Sequence, residues 1–553
     1  MIKHFYQIFN SFTEAERRVF LGALITFVVS GSTFALILFH QATVPVPIES
    51  NQYTEGVIGQ PIAINPIITS SNDADRDLIN LLFVGLLDLA DHYKVSDDGQ
   101  TWSVTLKSDL LWSDGKPLTS DDLIFTIDAI LDSDSRSPLF LTWQGVVADR
   151  ISELEVEFTL RTPYAFFEDN LRDLKIIPRH IFGAIPIENF RLSNYNLEPV
   201  GSGPYVFDSF EKRRDGFIRT YFLATNKHFA GTKPFIKNFI IKFYQNNDEI
   251  IDAFNTKKID GFGGLNPHDI DKLRLSHSIV EKIMPRYYAV FFNKNTQKSL
   301  QEDAVIDALL FGTDKKRIIE TVFSGKAFVV NQPILPNITG YDITADPGNE
   351  FSIEKAQQLL DDAKWKINPE TNIREKIIGK QLHTLSFSII IPQISFLTDT
   401  VAIIKEDWAK IGVQLNQIFL NPTDVTNEVI KTRNYEMLIF GNVLKNNPDI
   451  FSFWHSSERF YPGLNLALYD NKKVDALLES IRKNPNAESR IKDLATLQKT
   501  ISADTPALFL YSPTYLYVAP KNFGGFKERS MTTPADRFAG VENWYRNTKR
   551  VFK

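Results

Sequence analysis

At 553 residues the chain is longer than one ordinary hydrophobic core supports, so the length predicts two or three domains. The balance of 43% hydrophobic and 23% charged residues is typical of a folded protein and excludes a largely disordered one. A net charge of −6 without a basic cluster argues against a nucleic-acid partner, and the absence of cysteine excludes disulfides and thiolate chemistry.

An uncharged run from Val19 to Phe39 is long enough to cross a bilayer as a helix. The apolar core of a signal peptide is usually shorter, and no A-x-A-like cleavage site follows, which favours an uncleaved anchor. Basic residues precede the run, so the positive-inside rule predicts that residues 1–18 are cytoplasmic and that the rest lies outside. The sequence therefore predicts a single-pass protein of the cell membrane, with residues 40–52 as a proline-containing tether.

The folded part begins with a predicted strand at 53–65 and a helix at 75–87. Two Asp-Gly turns then frame an alternating strand at 101–107, and Thr119, three residues before Asp122, predicts the start of a helix that ends near Leu131. Further strands are predicted at 154–160, 217–223 and 235–243. A Gly/Pro-rich passage lies at 199–205, and a helix is predicted at 248–257.

An apolar strand at 287–293 marks a predicted crossover to the second part, where helices alternate with strands. Helices are predicted at 303–310, 315–324, 352–364, 398–411, 474–482 and 489–501, and strands at 387–391, 413–419 and 435–440. An aromatic-rich pair of strands is predicted at 507–518, and the tail from 524 to 553 is expected to return to the first domain. This alternation predicts an α/β fold with a mixed sheet.

No catalytic signature is found in the sequence. H-E-x-x-H, G-x-S-x-G and Walker A motifs are absent, and no two of the nine histidines are spaced i, i+3 or i, i+4. The Asp doublets at 97–98, 121–122 and 361–362 stand at turns and helix starts, where Asp commonly caps. The sequence therefore predicts no catalytic residue, no metal site and no cofactor, and the chain is not expected to be an enzyme.

The string D-G-x-T-W…W-x-D-G-x-P-L-T-x-D-D at 98–122 resembles the signature of the family 5 extracellular solute-binding proteins, the oligopeptide- and dipeptide-binding components of ABC importers. The opening G-x-P-x-x-x-N-P…F-x-G-L-L at 59–87 and P-x-G-S-G-P-Y at 199–205 extend the similarity, which covers about residues 53–545. It implies a large two-lobed periplasmic-binding-protein-like fold of type II with an extra subdomain.

In this family the lobes are discontinuous, which implies lobe I at 53–88, 199–295 and 523–553, an inserted subdomain at 89–198, and lobe II at 296–522. The implied function is capture of peptides or similar small solutes between the lobes, as a monomer, for delivery to an ABC permease. A tethered receptor or scavenger with the same fold is the alternative. A surface hydrolase would need an acid and nucleophile pair that no motif indicates. The resemblance leaves the ligand open.

The resemblance also implies the peptide-binding edge. In peptide-binding relatives an extended peptide is held by main-chain hydrogen bonds, and the edge that supplies them corresponds to Phe440, Gly441 and Asn442. Shortly after this edge the relatives carry an Asp that pairs with the ligand's α-ammonium, and Leu444 stands at that position here. Asp449 could substitute, but its place in P-D-x-F favours a helix cap.

Other site residues follow from the same resemblance. Asn465 matches a position near the ligand, Ser70 and Asn72 correspond to residues that line the cleft, and Trp143 and Phe526 fall where relatives place aromatic pocket walls. Each also has an ordinary structural interpretation. Asn465 suits a turn, Ser70 and Asn72 suit the cap of the following helix, and the two aromatic residues suit a core.

Overall fold

The computed structural model describes residues 11–68, 72–336, 341, 346–526 and 531–553. Within these residues one helix, α1 (Glu14–Ala42), is long and apolar enough to cross a membrane, and it contains the predicted run 19–39. Thr13 and Glu16 form a capping box at its start. No side chain of α1 is buried against the rest of the protein.

The segment after α1 is a strand and not a free tether. β1 (Thr43–Ile48) pairs antiparallel with the last strand of the chain, β21 (Asn547–Phe552). Lys553 N–H donates to Ala42 O at 2.9 Å, so the alternating pattern leaves Pro45 and Pro47 at positions whose nitrogens face outward. Proline costs no ladder hydrogen bond there, which is how a Pro-containing segment can form this two-stranded ribbon.

The first lobe contains residues 50–283 and 514–546. Its sheet is formed by β2 (Ser50–Ile58), β7 (Tyr205–Lys212), β8 (Ile218–Thr225), β9 (Ile236–Tyr244) and β10 (Gly261–Gly263), in the order β10-β2-β9-β8-β7. Helices α2 (Asp73–Leu82), α3 (Leu86–Leu89) and α8 (Asn247–Asn255) belong to the same lobe. Trp544, from the predicted returning tail, is fully buried against Tyr53 and Phe239.

A second sheet in this lobe lies within the predicted inserted segment. It contains β3 (Ala90–Val95), β4 (Thr101–Leu106), β5 (Val146–Arg150) and β6 (Glu155–Leu160) in the order β3-β4-β6-β5. The associated helices are α4 (Ser120–Leu131), α5 (Phe140–Trp143), α6 (Phe167–Asp173) and α7 (Arg179–Phe182). The capping box predicted for α4 is confirmed, because Thr119 and Asp122 exchange both hydrogen bonds and Trp112 Nε1 also donates to Asp122.

The second lobe contains residues 286–511. Its strands are β12 (Arg286–Phe292), β13 (Ala327–Val329), β17 (Ser386–Pro392), β18 (Gln414–Leu420) and β19 (Met437–Val443), with a small separate sheet of β14 (Lys366–Ile367), β15 (Arg374–Ile378) and β16 (Gln381–Thr384). Its helices are α9 (Asp303–Phe311), α10 (Lys315–Phe323), α11 (Ile353–Asp362), α12 (Ser395–Lys410), α13 (Pro422–Asp424), α14 (Phe451–Trp454), α15 (Lys472–Lys483) and α16 (Ala487–Asp504). Separate apolar clusters cover the two faces of the main sheet.

Two adjacent chain segments join the lobes. β11 (His277–Ile283) continues through Met284 and Pro285 into β12, and both pair with one long strand, β20 (Ala507–Pro520). β20 is continuous, which differs from the predicted pair of strands at 507–518. The chain passes between the lobes at about 284–286 and 512–514, because β12 pairs with β19 at the centre of the second lobe's sheet and so belongs to that lobe. Boundaries at 295/296 and 522/523 were expected.

Candidate ligand site at the junction of the lobes

An unpaired strand edge lies where the second lobe faces the first. β19 pairs with β12 along its whole length, from Met437 to Val443. On its other side it pairs with β17 only at Met437 and Leu438. In the part of the chain that the structure describes, no strand covers the remaining edge, residues 439–443.

The register shows which backbone groups this edge presents. Leu444 N–H donates to Pro285 O at 2.6 Å, and Asn293 N–H donates to Glu436 O at 2.9 Å. Backbone groups alternate along an antiparallel strand, so the even-numbered residues point toward β12. Gly441 and Val443 therefore direct their N–H and C=O groups toward the open edge, where an added strand would meet them.

Gly441 also allows close packing on the sheet face. A Cβ built at this position would lie 2.7 Å from Cε1 of Tyr288, whose ring packs against Phe396 and Tyr511. Any larger residue would push the Tyr288 ring away, so glycine is required for this contact. The Tyr288 ring therefore packs directly against the backbone of the edge at Gly441.

A cluster of charged and amide side chains lies at the same junction. Asn80 Nδ2 donates to Asp536 Oδ1 at 3.2 Å, and Lys175 Nζ donates to Asn80 Oδ1. Asp173 is solvent-accessible but has protein on most sides, and this desolvation, together with the nearby Asp536, raises its pKa to about 6. Lys445, from the second lobe, contributes an opposing charge that lowers the same pKa.

Direct contacts join the lobes on the side of the inserted subdomain. Tyr164 Oη donates to Asp449 Oδ2 at 2.8 Å, and the same carboxylate pairs with Arg482 at 3.1 Å. Phe166 is buried within a hydrophobic cluster of the second lobe. Asn447 Nδ2 donates to Asp169 Oδ2 at 2.8 Å. These contacts hold the two lobes together along one side of the junction.

Comparison with known proteins matches residues 87–460 to the model of the bacterial extracellular solute-binding proteins, family 5. The chain belongs to this family. The oligopeptide-binding protein AppA of Bacillus subtilis is 25% identical over 517 residues, which cover 90% of this chain and 92% of the relative.

Solved structures of family proteins have the same fold. That of AppA from Bacillus subtilis in complex with a nonapeptide has a TM-score of 0.70 at 24% identity and covers 90% of this chain and 99% of the other. That of NikZ from Campylobacter jejuni in complex with Ni(L-His) has a TM-score of 0.71 at 25% identity, covering 89% and 99%. The predicted type II, two-lobed fold is confirmed, and the family is one of binding proteins rather than enzymes.

In this solute-binding protein the strand edge that was predicted to bind a peptide through its main chain lies at the junction of the lobes. Phe440 and Gly441 are half-buried, whereas Asn442 is buried and donates from Nδ2 to Tyr287 Oη at 2.9 Å. Leu444 is 1% exposed and packs in the second lobe, so it presents no side chain to a ligand in this structure. Asp449 Oδ1 accepts from Phe451 N–H, the first residue of α14, but the N-cap position itself is Ile450, so Asp449 precedes the cap that the sequence predicts it to form.

The other predicted positions have mainly structural contacts. Trp143 is 1% exposed and packs on Phe158 and Phe167 in the core of the inserted subdomain, which agrees with the ordinary structural interpretation of a tryptophan. Asn465 is fully buried and its side chain bonds to backbone groups of His455 and Tyr469, as a turn residue does.

Asn72 accepts from Ala74 N–H and caps α2, and Phe526 stacks on Trp544 at the edge of the first lobe's core. Ser70 lies outside the described residues. Ligand contact at all these positions stays a prediction.

A separate cavity of about 100 Å³ lies inside the second lobe and is lined by Lys315, Asn331, Asp346 and Phe509, among others. Burial lowers the pKa of Lys315 to about 8. Ligand pockets usually measure about 300–1,000 Å³, so this cavity is too small for a peptide. Within the described ranges no group of three or more His, Asp or Glu side chains could hold a metal ion.

Sequence reasoning did not find the charged cluster. Asp173, Lys175, Lys445 and Asp536 are far apart in the chain, and only the folded arrangement brings them and Asn80 to one junction. No local motif marks any of them, since each reads as an ordinary surface residue.

Proposed function

We propose that the chain is a membrane-anchored, extracytoplasmic solute-binding protein that captures an extended peptide, or a similar solute, between its lobes and delivers it to an ABC permease. The observation that carries this proposal is the open edge of β19. Family membership and the oligopeptide-binding relative AppA support the same ligand class.

The edge would hold a peptide by strand addition. An incoming extended backbone would exchange hydrogen bonds with Gly441 and Val443, and such bonds hold a peptide of any sequence because they involve no side chains. The nearby Asp173 and Lys445 would provide charge of both signs for a zwitterionic ligand. Such breadth suits an importer of mixed peptides.

Closure of the lobes would then secure the ligand. A ligand shifts the open–closed equilibrium only by its differential affinity for the two states, so it must contact both lobes. In the proposed role, α1 keeps the protein in the cell membrane with its N-terminus in the cytoplasm. This raises the local concentration of the binding protein beside its permease. The protein would act as a monomer.

The first test is to identify what the protein carries. The full chain, purified in detergent, is analysed by native mass spectrometry, and bound molecules are released by denaturation and identified. A series of masses that match short peptides supports the proposal. A single non-peptide mass, such as a metal chelate of the kind bound by NikZ, would refute peptide capture while retaining the binding role.

The second test addresses the edge itself. Val443→Pro removes one outward N–H without breaking a bond to β12, and proline is tolerated at edge positions of this kind. Val443→Ala is the matched control, because it keeps the N–H and also removes the exposed side chain. One backbone hydrogen bond contributes about 0.5–1.5 kcal/mol, so Val443→Pro should weaken peptide binding roughly two- to tenfold relative to Val443→Ala. Equal peptide affinities of Val443→Pro and Val443→Ala, measured by calorimetry, would contradict strand addition.

A further inference from the structure

The ribbon of β1 and β21 brings the last residues of the described chain to the end of the anchor helix. Arg550 Nε donates to Thr43 Oγ1 at 2.9 Å, and its Nη2 donates to the carbonyl of His40, in the last turn of α1, at 3.1 Å. The ring of Phe552 lies edge-on to that of Phe39 at 6.3 Å. The last strand therefore ends at the same level as α1.

This part of the ribbon is rich in cations that lack acidic partners. Lys549, Arg550 and Lys553 are all exposed, and none of them forms an ion pair with any residue that the structure describes. Arg546, by contrast, is neutralised by Asp260 at 3.0 Å. Phe552 is 75% exposed and adds an apolar group at the same end. The end of the ribbon thus combines positive charge with exposed apolar surface.

The length of α1 fixes where these groups would lie. The run 19–39 measures about 32 Å as a helix, which matches a hydrocarbon core of about 30 Å. Ala42 then lies about 5 Å beyond Phe39, inside the headgroup layer. Lys553 is bonded to Ala42 and Arg550 to His40, so both cations are at headgroup depth. Lys549, opposite Val46, is about 13 Å farther along the ribbon.

We propose that this end of the ribbon is a binding surface for anionic phospholipid headgroups of the outer leaflet. Cations at this depth attract lipid phosphates, and an exposed Phe inserts into the interface beside them. Binding would fix the ribbon against the bilayer and hold the lobes at a defined height above it. The inference rests on the proposed anchoring by α1, which the test below checks separately.

The test uses the full chain in nanodiscs of phosphatidylcholine alone and of phosphatidylcholine mixed with phosphatidylglycerol. Amide hydrogen exchange of β1 and β21 is measured in both, at low and high salt. The variant Lys549→Gln/Lys553→Gln removes two cations but keeps the bonds of Arg550. The matched control Lys366→Gln/Lys380→Gln removes two exposed lysines of the small sheet in the second lobe.

We expect phosphatidylglycerol to slow exchange in the ribbon of the wild-type protein and of the control, and high salt to reverse the effect. A cation at headgroup depth contributes about fivefold, as expected of Lys553, whereas Lys549 lies about 13 Å farther out and contributes less. The Lys549/Lys553 variant should therefore reduce this protection by about five- to tenfold. If the protein stays in phosphatidylcholine discs but phosphatidylglycerol does not slow exchange in the ribbon, the lipid-binding inference is overturned and the proposed anchor is not. Failure to remain in phosphatidylcholine discs would overturn the anchor and, with it, the inference.

Discussion

A buried ion cluster joins the last segment of the chain to the first. Arg537 is 4% exposed; its Nη1 and Nη2 donate to Asp77 at 2.7 and 2.6 Å, and its Nε donates to Glu55 at 3.1 Å. Tyr517 Oη also donates to Glu55, at 2.7 Å. The cation thus connects β2, α2 and the returning tail in the core of the first lobe.

Replacing Arg537 with Met should leave two buried carboxylates without their cation. Loss of one partner from a buried ion pair costs about 3–5 kcal/mol of the free energy of unfolding, and here both carboxylates lose their charge partner together. The cost should be larger at pH 8 than at pH 5, since Glu55 and Asp77 can take up protons at the lower pH. Burial already raises the pKa of Glu55 to about 7 and that of Asp77 above its usual range.

The assay is urea unfolding of the full chain at both pH values, with hydrogen exchange of residues 50–58 and 73–82 to locate the loss. The triple variant Glu55→Gln/Asp77→Asn/Arg537→Met is the control, because it removes all the charges while keeping similar volumes. It should recover much of the stability. A loss below about 1 kcal/mol in Arg537→Met, or a triple variant that is equally unstable, would refute the reasoning.

Two further predictions concern pH and the contact between the lobes. Glu55 binds a proton more tightly in the folded than in the unfolded state, so its contribution to stability should fall by about 3 kcal/mol as pH rises from about 4.5 to 7. Unfolding of Glu55→Gln should lack this part of the pH dependence, and an unchanged slope would contradict the shifted pKa. Phe166→Ala should raise hydrogen exchange in residues 444–451, because Phe166 packs into the second lobe. Phe167→Ala should instead destabilise the inserted subdomain, since that ring contacts Trp143 and Phe158, and equal effects of the two variants would contradict this division.

Local patterns in the sequence predicted most of the helices and strands. The helix predicted at 398–411 appears as α12, and Gly412 follows it with a φ of +78°, the conformation that a glycine after a helix favours. The alternating strand at 101–107 and the capped helix after it are also present. These signals depend on neighbours within a few residues, which the sequence shows directly.

The failures depended on distant parts of the chain. A pair of strands was predicted at 507–518, but Pro513 lies where β20 passes from its partner β12 to its partner β11, and the strand continues through it. Residues 40–52 were predicted as a tether, but 43–48 form a strand because they pair with the distant strand 547–552. In the site, the open edge could be predicted by resemblance. For Trp143 the sequence left both a pocket wall and a core open. The burial of Leu444 could not be predicted, because burial depends on segments that pack from elsewhere.

The discontinuity of the first lobe has a consequence for biogenesis. Residues 286–511 are contiguous and can fold as soon as they have been synthesised, whereas β2 lacks its neighbour strand β10 until residue 263, and β10 lacks its other neighbour, β20, until residue 518. Until Arg537 arrives, Glu55 and Asp77 have no cation beside them. The part of the lobes that is synthesised first therefore completes its structure last, and a chain truncated before residue 514 would expose an unfinished sheet to other proteins.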